Sequence, residues 1–77
     1  MKKFKLIETK RIVGRGNILV VEYVSTLFFD IEDILGQEII LVKSDGVYVE
    51  RVKMIEYGDT TKVIDKGDTI GIKIYEN

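Results

Sequence analysis

Short segments dense in isoleucine and valine alternate along this chain with turn residues, and that rhythm is what most restricts its fold. In the clearest segment, Ile70, Ile72 and Ile74 alternate with Gly71, Lys73 and Tyr75. That period of two gives a strand one inward and one outward face. β-branched residues favour strands, and alanine, the best helix former, is absent. Further strands are expected from Phe4 to Val13, Ile18 to Val24, Glu38 to Lys43, Val47 onward and Thr61 to Ile64. The second is apolar on both faces except at Glu22, which predicts a central position. In the fourth, inward parity passes from Val47 and Val49 to Val52 and Met54, which predicts a bulge or a bend from one side of the barrel to the other.

Turn signals separate these segments. Glycine in Gly14-Arg15-Gly16-Asn17 permits positive φ, and Asp45-Gly46 between apolar runs predicts a hairpin with a type I′ turn. Tyr57-Gly58-Asp59 and Asp65-Lys66-Gly67-Asp68 are further turns. Between Ser25 and Gly36, Leu27, Phe28, Ile31, Ile34 and Leu35 form either a short helical turn or a cover over one barrel end, with Asp30, Glu32 and Asp33 outward. Six short strands without a long helix predict an all-β fold, a small closed or nearly closed barrel. Its 77 residues are read as a single β-barrel domain, 1–77.

Composition removes several functional classes. Without cysteine there is no disulfide framework, and without histidine neither zinc-finger spacing nor histidine-based catalysis. Ser25 and Ser44 have no histidine to activate them, and no pair of carboxylates stands in a setting that would separate its pKa values. Asp30, Glu32 and Asp33 lack the glycine and bidentate glutamate of a calcium loop. No metal, cofactor or catalytic residue is expected. Met1-Lys2-Lys3 is not followed by the apolar run of a signal peptide, nor is any segment long enough to span a bilayer, so a cytoplasmic location with no membrane partner is expected.

Charge is unevenly spread. Residues 1–16 carry Lys2, Lys3, Lys5, Lys10, Arg11 and Arg15 against Glu8 alone, whereas 16–42 contain no lysine or arginine. Such a stretch is either a basic face for phosphates or a set of lysines guarding a strand edge. An overall pI near 5.4 is below that of a dedicated nucleic-acid binder.

Arg11-Ile12-Val13-Gly14-Arg15-Gly16-Asn17-Ile18 resembles the opening strands of the second domain of translational GTPases such as elongation factor Tu. Gly67-Asp68-Thr69-Ile70-Gly71-Ile72 is similar to that family's closing segment, and Ile34 to Leu41 and Val49 to Glu56 resemble its middle strands. The resemblance implies a six-stranded Greek-key barrel of the translation-factor type. It also implies that the two glycine-bearing segments share one rim and contact RNA or the ribosome. The residues carried over are Gly14, Arg15, Gly16, Gly67, Asp68 and Gly71, with Lys10 and Arg11 beside them. Lys10 stands where elongation factor Tu has an aromatic, and Thr69 where it has asparagine, which argues against an aminoacyl pocket. Asp33-Ile34-Leu35-Gly36 followed by the Asp45-Gly46 hairpin is also similar to the PRC barrel. Gly14-Arg15-Gly16 precedes a strand rather than a helix, so no nucleotide is expected.

The expected function is a non-catalytic binding module contacting RNA or the ribosome. The alternative is a protein-interaction or assembly module, a homo-oligomer or a subunit of a larger complex, using the apolar run Leu27, Phe28 and Phe29.

Overall fold

The computed structural model describes residues 1–57 and 63–76. Its strands are β1 (Lys3–Ile12), β2 (Gly16–Tyr23), β3 (Phe29–Asp30), β4 (Glu38–Lys43), β5 (Gly46–Tyr57), β6 (Val63–Ile64) and β7 (Thr69–Ile74). The helical content among the described residues is one 3₁₀ turn, Ile31–Ile34. β1, β2, β7, β5 and β4 pair in that order into a closed barrel. Neighbours are antiparallel except β1 and β4, whose parallel pairing at Lys3–Ile40, Phe4–Leu41 and Lys5–Val42 closes the cylinder.

The barrel has five strands where six were expected, and the reason is local. Thr61 and Lys62 of the expected fifth strand, and the Gly58-Asp59 turn, lie outside the described residues. Val63–Ile64 pairs instead with Phe29–Asp30, as a two-stranded lid. Each lid strand has room for one inward side chain, and Phe29 and Ile64 fill those places. The 3₁₀ turn adds Ile31 and Ile34 to the same plug, while Asp30, Glu32 and Asp33 face outward. Thus the segment after Ser25 is both a helical turn and a cover.

Inside, Phe4, Tyr23 and Phe29 form an aromatic triad with centroids 4.8–6.1 Å apart. Leu19, Val21, Leu41, Val52, Ile70 and Ile72 surround it from β2, β4, β5 and β7. β2 is buried on both faces, as its composition requires of a central strand. Ile18 and Val20, the outward residues of β2, are buried without joining that cluster.

Two local expectations are corrected. The β4–β5 turn runs through Ser44 and Asp45, flanked by the Lys43–Gly46 pair. Only glycines have positive φ among the described residues, so this is not a type I′ turn, which needs positive φ at both central positions. Gly46 takes the unusual backbone instead, at φ 152°. In β5 the register shifts fall after Val52, between Val52 and Met54 and again between Ile55 and Tyr57. Val47, Val49 and Met54 are exposed, and Val47 and Val49 pair with Val42 and Ile40 of β4. The alternation in β5 is real, but its valines make an outer apolar face rather than an inner one.

Candidate interaction surfaces

The barrel has two unlike ends. Met1, the end of β2, the lid and the Asp65–Asp68 turn gather at one, which we term the capped end. The β1–β2 and β4–β5 hairpin tips lie at the other.

At the tip of β1–β2 the Arg15 N–H donates to the Ile12 carbonyl at 3.0 Å, and Gly14 holds φ 81°, the third-position backbone of a type II turn. The Arg15 guanidinium is bonded to Glu56 of β5, whose other oxygen accepts from Lys73 Nζ at 3.3 Å. The Glu56 side chain is only 3% exposed between its two cations. Arg15 therefore ties the hairpin tip back to the barrel wall. Exposure of the arginine keeps its own contribution small: Arg15→Ala should cost under about 1 kcal/mol, less in high salt. Glu56→Ala should cost more, because it strands Lys73 as well as Arg15; urea denaturation at two salt concentrations separates the two effects.

Gly67 and Asp68 lie at the opposite end of β2. The Gly67 N–H donates to the Tyr23 carbonyl at 2.8 Å, and the Tyr23 N–H donates to the Asp68 carbonyl at 2.9 Å. The Asp68 carboxylate accepts from the Asp65 N–H at 3.0 Å while its own N–H returns to the Asp65 carbonyl. Gly71 is buried midway, opposite Val20. The expected single rim of glycine corners is thus not formed, because the two turns close opposite ends of one strand. Glu56, the partner of Arg15, precedes Tyr57, which pairs with Gly71, while Gly67 and Asp68 bond to Tyr23 at the other end of β2. At Gly67, φ is 94° in open space, so Gly67→Ala should cost about 1 kcal/mol through backbone strain alone. In a domain this small that lowers the melting temperature by about 4–8 °C in a calorimetric scan.

Lys10 and Arg11 are exposed on β1, as are Lys3 and Lys5. At the β4–β5 tip, a hydrogen bond from the Tyr48 hydroxyl to Asp45, reinforced by that carboxylate's charge, raises the phenol pKa above its ordinary value. A phenol raised by folding contributes its stabilisation fully below the unfolded pKa and loses it as pH rises through the folded one. Asp45→Asn should return the Tyr48 titration, followed by ultraviolet difference absorbance, toward that of free tyrosine.

The apolar run at the capped end divides. Phe29 is core, 6% exposed, with Lys2 Nζ 5.1 Å above its ring. Leu27 and Phe28 are 79% and 69% exposed. Their loop is held: the Tyr23 hydroxyl donates to the Leu27 carbonyl, and the Lys3 N–H donates to Ser25 Oγ at 3.2 Å. They border an open groove of about 610 Å³, shared with Lys2, Tyr23, Asp30 and Asp33. Adjacent apolar residues do not announce which of them turns inward. The pairing of Phe29 with Ile64, 35 positions away, decides it.

Among the described residues, no cluster of histidine, cysteine or carboxylate side chains is grouped to hold a metal ion, and no helix is long and apolar enough to cross a membrane. The fold and these surfaces define a small closed β-barrel with an apolar interior. No protein-family model, curated protein or solved structure matches the chain.

Proposed function

We propose that the chain is a non-catalytic protein-interaction module that binds its partner at the capped end. The observation that carries this reading is the pair Leu27 and Phe28, exposed on a pinned loop beside the groove. An exposed aliphatic–aromatic pair costs solvation in the free protein and regains it when covered. Asp30 and Asp33 on the same rim suit a partner with an apolar anchor next to a basic residue.

The translation-factor resemblance supplies the second reading, contact with RNA or the ribosome in a Greek-key barrel of that family. The exposed Lys3, Lys5, Lys10 and Arg11 on β1 favour it. Arg15 engaged with Glu56, and Gly67 and Asp68 at the other end of β2, weigh against it.

Immobilised wild-type chain and a Leu27→Ser/Phe28→Ser variant, exposed to cell extract at about 50 and about 200 mM salt, separate the readings. A protein retained at both salt levels by wild type alone supports the capped-end surface. Identical retention by both chains, or RNA held only at low salt, contradicts it.

A further inference from the structure

The 3₁₀ turn Ile31–Ile34 has three residues per turn, so every third side chain falls on the same side. Ile31 and Ile34 take the inner side and are buried in the core. Asp30 and Asp33 line the capped-end groove. Glu32 and Leu35 line a second open groove of about 690 Å³, completed by Lys53, Met54 and Ile55 of β5. The turn is therefore a ridge, pinned from below by two isoleucines, with a groove on each flank.

The two grooves have the same make-up. One offers Leu27 and Phe28 beside Asp30 and Asp33; the other offers Leu35 and Met54, 50% and 45% exposed, beside Glu32. None of the three ridge carboxylates takes part in an ion pair among the described residues, and Asp30 makes no capping bond to the turn. Each groove has one lysine side chain in its lining, and each is drawn onto a ring. Lys2 Nζ lies over Phe29, and Lys53 Nζ lies 5.9 Å from the centre of Tyr75.

We infer that one continuous segment of the protein partner crosses this ridge, with an apolar anchor in each groove and basic side chains over Asp30, Glu32 and Asp33. This rests on the capped-end reading and extends that surface by a second groove. The ridge presents unpaired carboxylates and no cation, so a basic centre complements it and a phosphate does not. The apolar pairs on either flank require an apolar residue at both ends of that centre. Once one anchor is seated, the other binds intramolecularly, so the second groove strengthens the contact without a second association cost. Burial of Ile31 and Ile34 holds the ridge in place before the partner arrives, which keeps the ordering cost of binding low.

Fluorescence anisotropy with two labelled synthetic peptides tests this. One carries a leucine pair on each side of a Lys-Arg-Lys centre; in the other, one leucine pair is replaced by serines. Wild type should bind the two-sided peptide at least about tenfold more tightly than the one-sided peptide. Leu35→Ser/Met54→Ser, folded by circular dichroism, should erase that difference while still binding the one-sided peptide. Asp30→Asn/Glu32→Gln/Asp33→Asn should weaken both peptides at least about tenfold. Equal affinity of wild type for the two peptides, or a Leu35→Ser/Met54→Ser variant that keeps the difference, would overturn the inference, as would a wild type that binds neither. Failure of the capped-end reading looks different: Leu27→Ser/Phe28→Ser would then bind both peptides as wild type does, and the crossing segment would fall with it.

Discussion

Phe29→Ala should remove most of the stability of this protein, at a cost of about 3–5 kcal/mol. Phe29 is the one side chain that joins the lid to the barrel interior through both aromatic neighbours. Its ring meets Tyr23 at 4.8 Å and 78°, and Phe4 at 6.1 Å and 84°, both edge-on. Such contacts add to the burial term, and truncation leaves a cavity that a closed cylinder cannot collapse to fill. Stabilities of about 0.05–0.15 kcal/mol per residue are usual. A loss of this size therefore leaves a chain of 77 residues close to its unfolding midpoint. The expected result is a urea midpoint shifted sharply downward. A shift under about 1 kcal/mol would show that the lid is not part of the core.

The neighbouring position should behave in the opposite way. Leu27→Ser/Phe28→Ser should leave stability within about 0.5 kcal/mol, since surface substitutions away from caps and strained backbone rarely do more. The same variant should lose at least about tenfold in affinity for its protein partner, because exposed apolar anchors contribute their binding energy only when covered. The Leu27 carbonyl accepts from Tyr23 through the backbone, so neither substitution removes the contact that pins the loop. Stability and binding thus separate at two consecutive residues, Phe28 and Phe29. A variant that unfolds, or one that binds as wild type does, would contradict the division of roles.

Much of the barrel is legible in the sequence. β4 matches its expected limits at Glu38 and Lys43, because the apolar run is bounded by Gly36-Gln37 before it and the Ser44-Asp45 turn after it. Ile70 and Ile72 face inward as their alternation requires. What eludes the sequence is non-local. A period of two looks the same whether its apolar side meets the core or water, so Val47 and Val49 read as interior although they face out. Which of three consecutive apolar residues is core depends on β6, far along the chain. The pairing of Arg15 with Glu56 spans 41 positions and turns an apparent contact residue into a brace. The two glycine motifs show their spacing in sequence, but only the β2–β7 register shows that they belong to opposite ends of a strand.

Closure of β1 onto β4 is the feature on which the cap and the groove both depend, and the Ile40 amide reports it most directly. Its N–H donates to the Lys2 carbonyl at 2.9 Å, across the parallel seam that completes the cylinder. Native-state hydrogen exchange should find this amide protected to nearly the same free energy as the central amides of β2. Exchange of Ile40 at the rate of an exposed loop, with β2 still protected, would mean an open sheet and not a barrel.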